Sequence, residues 1–257
     1  MTNLESYAKH ARVWSYYSGD RSEEAEFWAT LARRYGTSIL ALMSATGEMA
    51  AILARRGFNV CAVDFIPEMI REGRQRYGDI TSLTFGQNDI RSFKLDKDDY
   101  DFAFTSDFNH LLTLEDCQAA LTSIWQNLRP GAGIGMELSF PMAESWTSPW
   151  QTFTPMTSQT NLTYQGRVPI KTWKKGKTSY DAGNRMITIE QEVYIQQGES
   201  VEQFSHNFQL RLWDKQEISE MLRETGFSLT HEYGSYRLDP WVSGSQHWII
   251  EAFKNSS

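Results

Sequence analysis

The sequence predicts an α/β fold: a doubly wound, mostly parallel seven-stranded sheet with helices on both faces, preceded by two short helices and interrupted by an antiparallel β meander. Three observations predict it. Between residues 38 and 139, short apolar or β-branched runs alternate with longer helical patterns, the mark of successive βαβ units. Between 168 and 213 the text changes to strict polar/apolar alternation broken by turn residues, as in a solvated antiparallel sheet. From 214 onward one helix and two strands complete the first pattern.

In chain order, residues 3–35 read as two short helices covering a sheet edge, the second opening at Asp20 with Glu23 three residues on, a capping-box variant. TSILALM is the first strand, EMAAILARR its helix and FNVCAVD the second strand. PEMIREGRQRYG is the next helix, with Pro67 at its start, where a missing N–H costs nothing. SLTFGQND and YDFAFTS are the third and fourth strands. EDCQAALTSIWQNLRPGA is a helix stopped by Pro130 and Gly131 before the fifth strand, IGMELSF. Residues 140–165 have no period and read as a long loop. VPIKTWKK, RMITIEQEVYIQ and VEQFSHNFQLRLW form a three-stranded meander. DKQEISEMLRETG is a helix with Asp214 as N-cap, Glu217 at N3 and Gly226 as its stop, and FSLTHEYGSY and SQHWIIEAFK are the last strands. The expected divisions are 1–36, 37–139, 140–213 and 214–257.

At 257 residues the chain is long enough to bury a full core, and its 22% charged and 40% hydrophobic composition excludes disordered and collagen-like classes. A net charge of −7 is the wrong sign for an unaided nucleic-acid surface and points to a small-molecule partner. Cys61 and Cys117 lie in no C-x-x-C pair, so no metal site or disulfide framework is expected. No apolar stretch reaches signal-peptide or membrane-span length, and the expectation is a cytoplasmic protein, monomer or homodimer, away from membranes.

The turn after the first strand holds the small residues Ser44, Ala45, Thr46 and Gly47, which let the backbone approach a ligand at a helix N-terminus beside the sheet's carboxyl edge. Asp64 ends the second strand, where an acid can accept both hydroxyls of a ribose. Asp89 ends the third, where a carboxylate can accept from an exocyclic adenine amine. Taken singly, Asp64 could cap the helix at Pro67, Asp89 could close a turn and the small residues could be packing. Their joint order favours a nucleoside.

These residues lie in ATGEMAAILARRGFNVCAVDFIPEMI, FGQNDIRSF, DFAFTSDFNHL and IWQNLRPGAGIGMEL, and in this text the chain resembles the class I S-adenosylmethionine-dependent methyltransferases. The resemblance spans about residues 20–139 and, more weakly, the last helix and strands. It implies a Rossmann-like core and S-adenosyl-L-methionine as cofactor, with Phe65, Met69, Asn88 and Ile90 flanking the two carboxylates as further contacts. The family's E/D-x-G-x-G-x-G places hold Ala41, Met43, Ala45 and Gly47, so the acid and two glycines are absent. Ser44 is the expected substitute partner for the methionine end. By the same resemblance, Ser106, Asp107, Phe108 and Asn109 meet methionine and substrate, Asp107 as a replacement carboxylate.

His110 can act as a general base or be a packed histidine. His206 alternates with Phe204 and Phe208, so it is a base if that face looks at the site and a core histidine if it packs on the sheet. Tyr7, Trp14 and Tyr17 form one helical stripe, either core packing or, since family members often close an N-terminal helix over the cofactor, an aromatic lid on the sulfonium. Ser139, Trp146, Trp173 and Tyr180 are expected above the pocket, Tyr180 as a possible catalytic group. Lys174, Lys175 and Lys177 read as a solvated hairpin tip. Residues 37–139 hold one tryptophan, Trp125, of the nine, so the aromatic excess belongs to the segments expected to cover the pocket.

Three functions compete. The leading one is in-line methyl transfer to a small organic molecule, as in secondary metabolism. The second is cyclisation or cleavage of S-adenosylmethionine itself, as in the azetidine-2-carboxylate synthases. The third is a non-catalytic binding module, against which Asp64 and Asp89 argue.

Overall fold

The computed structural model describes residues 3–14, 19–97, 99–106, 108–138, 148–153 and 170–255. Helices α1 (Asn3–Ala11) and α2 (Ser22–Tyr35) precede β1 (Ser38–Leu42), α3 (Glu48–Arg55), β2 (Asn59–Asp64), α4 (Pro67–Tyr77), β3 (Leu83–Gln87) and β4 (Tyr100–Thr105). A 3-10 turn at Phe108–His110, α5 (Leu114–Asn127) and β5 (Leu128–Leu138) follow. Then come β6 (Ser148–Phe153), β7 (Ile170–Asp181), β8 (Met186–Gln197), β9 (Ser200–Arg211), α6 (Lys215–Thr225), β10 (Phe227–Tyr233) and β11 (Trp248–Lys254).

The seven-stranded sheet runs β10-β11-β5-β4-β1-β2-β3, with β1 to β5 parallel and β11 antiparallel to both neighbours. Every residue of β1 is buried, as a central parallel strand covered on both faces requires. Its alternation splits the core: Leu40 and Leu42 join the cluster with α5 and α6, Ile39 and Ala41 the cluster with α2 and α3. Because β1 pairs with β2 on one side and β4 on the other, the chain reverses direction across the sheet there, opening a crevice at the carboxyl edge.

Helix α2 lies on a sheet face, against β4 and β5, rather than covering an edge. It can do so because β5 has no side chain where the large α2 residues sit. A Cβ on Gly135 would fall 2.6 Å from the Trp28 ring, and one on Gly133 would meet Tyr35. Trp28 stacks on Phe104 at 5.0 Å. Asp20 does not cap α2: Arg21 is the N-cap, and Asp20 only accepts from the Ser22 amide at 2.9 Å. At α6, by contrast, Asp214 and Glu217 form the reciprocal box and Gly226 adopts the left-handed stop.

Two further expectations are corrected. Pro130 and Gly131 do not end α5, which stops at Asn127; they sit inside β5, where a register shift against β4 accommodates the missing proline N–H and Gly131 at φ 73°. The antiparallel sheet has four strands in the order β6-β7-β8-β9, since residues read as loop supply β6. Helix α1 is clamped between the second sheet and α4. Val13, just beyond it, packs with Val193, Ile195 and Phe204 of the second sheet, and Ala11 with Ile66 and Met69 beside the first. Among the described residues no helix is long and apolar enough to cross a membrane and no cluster could hold a metal; both cysteines are buried free thiols.

Candidate active site

The crevice begins with the loop after β1. Met43 and Ala45, each at φ 49°, and Gly47, at φ 74°, adopt left-handed backbone. The loop therefore keeps a shape suited to glycine at three alternate positions while carrying side chains at two. A non-glycine residue there costs about 1–2 kcal/mol, offset in part by glycine's larger unfolded-state entropy. Ala45→Gly is accordingly expected to stabilise the protein by about 0.5–1 kcal/mol, read as a raised denaturation midpoint; a lowered midpoint would show that the Ala45 methyl packs for more than it strains. Gly47 has no such latitude, since a Cβ would lie 2.6 Å from the Phe85 ring.

Asp64, the last residue of β2, ties this loop in place. Its Oδ2 accepts from the Ala45 amide at 2.8 Å and its Oδ1 from the Ile66 amide at 2.9 Å. A carboxylate oxygen can accept from more than one donor at a time. Asp89, after β3, is forked by Arg91, whose Nε and Nη2 lie 3.0 and 2.6 Å from its oxygens, and Arg91 Nη1 donates to Asp116 at 3.0 Å. The Arg91 hydrogen bond holds the Asp89 carboxyl below the usual carboxylate range.

Two cavities meet at Trp14, Met43 and Ala45. The larger, about 590 Å³, is lined by Tyr7, Asp64, Phe65, Met69, Asn88, Asp89, Ile90 and Arg91, and on its other side by His110 and Phe208. The smaller, about 400 Å³, is lined by Ser44, Ser106, Arg21, Met49, Phe104 and Lys174. Each is of the size that holds a small ligand. Ser44 Oγ is buried without a hydrogen-bond partner and lies on the smaller cavity, which leaves it a donor and acceptor for a ligand. The residues present therefore fit a nucleoside with a polar tail: carboxylates at the ends of β2 and β3, an orphaned hydroxyl beyond.

Seven expectations are corrected. His206 is 2% exposed and lines neither cavity; its Nδ1 is 2.8 Å from Ser6 Oγ, and its ring packs edge-on to Tyr7 at 4.5 Å and to His10 at 5.0 Å. It is the core histidine under α1, pushed down to about 4 by burial and then by Lys174. Thr46 and Gly47 line neither cavity, because Thr46 turns inward and Gly47 packs on Phe85. Phe108 is buried in the main core. Asn109 is buried too, its amide donating to the Arg211 carbonyl at 2.6 Å, so it joins the 3-10 turn to β9. Trp173 points away, since β7 pairing places it with Tyr194, on which it stacks at 5.1 Å, opposite the face that carries Lys174 and His206. Tyr180 shares the His206 face but sits four residues further along β7 than Gly176, the position level with His206, and lines neither cavity. Tyr17, Asp107, Ser139 and Trp146 lie outside the described residues.

Lys174 is the residue that sequence reading placed wrongly and the structure moved furthest. It lines the smaller cavity, while Lys175 is exposed over Tyr194 and Lys177 pairs with Glu190. Arg21, Met43, Arg91 and Phe208 are lining residues that sequence reading did not single out as site residues; only the parity of Phe208 with His206 pointed to any of them.

A family model for a methyltransferase domain matches residues 39–131. Residues 39–131 are thus a methyltransferase domain. The match spans about a third of the chain, from β1 into β5, and with the crevice beside Asp64 and Asp89 it supports an S-adenosylmethionine-dependent methyltransferase domain there. The presumed methyltransferase YqeM of Bacillus subtilis (strain 168) is 24% identical over 196 residues, covering 74% of this chain and 73% of that protein. Among solved structures, an S-adenosylmethionine-dependent methyltransferase from Clostridium acetobutylicum ATCC 824 superposes with a TM-score of 0.78 at 12% identity, covering 98% of this chain and 100% of that one. The sugar N-methyltransferase KedS8 from Streptoalloteichus sp ATCC 53650 gives 0.74 at 14% identity over 92% and 89%. The methyltransferase fold thus extends over nearly the whole chain, the antiparallel sheet included.

Proposed function

We propose that this methyltransferase transfers the methyl group of S-adenosylmethionine to an amine nitrogen of a small organic molecule. The observation that carries the reading is the pair of joined cavities, one fitted to a nucleoside and the other larger than an aminobutyrate chain alone occupies, roofed by α1 and the antiparallel sheet. KedS8, of the same fold, is an N-methyltransferase of sugars, which supports an amine acceptor. Asp64 receives the ribose hydroxyls, and Asp89, oriented by Arg91, the adenine amine. Ser44 Oγ meets the methionine end in place of the absent acid at Ala41. When bound, the donor supplies a sulfonium-activated methyl group open to in-line attack.

Trp14 stands at the junction of the cavities and Tyr7 on the wall of the larger one, aromatic rings that can stabilise a cation by about 0.5–2 kcal/mol each. They also exclude water from the path of attack. The attacking nitrogen carries a proton to be lost once its bond to carbon forms, and His110, on the wall of the larger cavity, is the imidazole placed to take it. Most of the rate comes from holding nucleophile and methyl in line.

Incubation of the protein with S-adenosylmethionine and a panel of amino sugars and amino acids, followed by mass spectrometry, tests this. S-adenosylhomocysteine and an acceptor heavier by one methylene are expected. Methylthioadenosine released without any acceptor, or failure to bind the cofactor, would overturn it.

A further inference from the structure

Asp89 offers less to a ligand than its position suggests. A carboxylate has roughly four places for hydrogen-bond donors, and Arg91 makes four contacts to this one. The Arg91 amide lies 2.9 Å and its Nε 3.0 Å from Oδ1, while Nε lies 3.2 Å and Nη2 2.6 Å from Oδ2. The cause is local: an aspartate that accepts from the amide two residues on folds the chain into a tight turn, which returns the Arg91 side chain to Asp89. The guanidinium then reaches across to α5, where Nη1 donates at 3.0 Å to Oδ1 of Asp116, in the first turn of that helix. All three residues line the larger cavity. Hydrogen bonds to Asp89 and then to Asp116 hold the guanidinium charged above its usual range, so it can leave Asp89 only by moving.

Moving is cheap. The Arg91 side chain is 43% exposed, and an ion pair so placed is weak. Its amide is fixed in the backbone, but the guanidinium has a second carboxylate, Asp116, on the same cavity. We propose that the Arg91 guanidinium stands in for the adenine amine on Asp89, that the donor displaces it towards Asp116, and that Arg91 thereby sets how strictly the site demands an amine-bearing base. With arginine in place, a base carrying a carbonyl at that position still meets an N–H donor. Without it, the carbonyl faces only a carboxylate, which repels it. The inference rests on Asp89 as the adenine acceptor, and its test separates the two.

The full chain and its Arg91→Met and Arg91→Lys variants are titrated calorimetrically with S-adenosylhomocysteine and with S-inosylhomocysteine, in which a carbonyl oxygen replaces the exocyclic amine. Arg91→Met is expected to bind S-adenosylhomocysteine about two- to fivefold more tightly than wild type, the worth of a part-exposed ion pair. It should bind S-inosylhomocysteine no more tightly. Arg91→Lys keeps the charge but cannot fork both oxygens, and should shift the preference the same way by less. In an Asp89→Ala background the Arg91→Met gain should vanish. Unchanged or weaker binding of S-adenosylhomocysteine by Arg91→Met would make Arg91 a support of the base site and overturn the proposal. An equal gain for both ligands would trace the effect to net charge and overturn it too. Failure of wild type to bind S-adenosylhomocysteine would sink the donor reading itself, and this proposal with it.

Discussion

Replacing Asp64 with alanine is expected to weaken S-adenosylmethionine binding by roughly 10- to 100-fold. Two losses combine. Charged hydrogen bonds to the ribose hydroxyls are worth about 1.5–3 kcal/mol. The carboxylate also joins the Ala45 and Ile66 amides, so without it the left-handed loop at residues 43–47 is released from the end of β2. Asp64→Asn, which keeps one acceptor oxygen, should lie between alanine and wild type. Calorimetric dissociation constants measured alongside unchanged far-ultraviolet circular dichroism would check this, and equal affinities across the three proteins would place the ribose elsewhere.

Mild acid is expected to release α1. His10, on α1, and His206, on β9 beneath it, are both buried, and both are held well below the ordinary imidazole value, His206 at about 4, by burial first and then by Lys174. In a detached helix each ring titrates near 6.5. Between those limits the detached state binds more protons than the docked one, so docking weakens as pH falls from about 6.5 towards 4 and does not depend on these rings above about 6.5. For His206 alone the loss is on the order of 2–3 kcal/mol by pH 4.5. Lys174, at about 8 when packed, has the same sign in a different window, strengthening docking only as pH rises above 8. Hydrogen exchange of residues 3–11 should therefore be flat between pH 6.5 and 8 after correction for intrinsic rates and rise steeply below. His206→Gln should reduce that rise; protection unchanged down to pH 4.5 would refute the account.

The parts of this molecule legible in its sequence are those where local chemistry and fold agree. The βαβ units of residues 38–139, Pro67 at the start of α4 and the Asp214–Glu217 box needed no distant information. Asp64 was legible because a strand end followed by a proline-led helix leaves an acid little choice of position. The errors fall where long-range packing decides. Strand β6 exists by pairing with β7, which nothing in SPWQTF announces. The alternation that placed His206 with Phe204 and Phe208 was right, but whether that face looked onto ligand or protein depended on Ser6 and Tyr7, about 200 residues away. Lys174 was lost to composition: three lysines within four residues read as one solvated tip, although strand parity sends the first of them inward.

The clamp on α1 also orders events in time. Ser6 meets His206 across 200 residues and Arg12 meets Glu202 across 190, whereas the parallel sheet's βαβ units close over a few tens. Loops that long close late, after local contacts have formed. During synthesis the first helix emerges long before the strand that holds it, and its apolar stripe of Tyr7, Ala11 and Trp14 must wait, uncovered, for β9. The roof thus closes after the βαβ units that it covers, and the crevice passes through an open stage before it can retain a ligand.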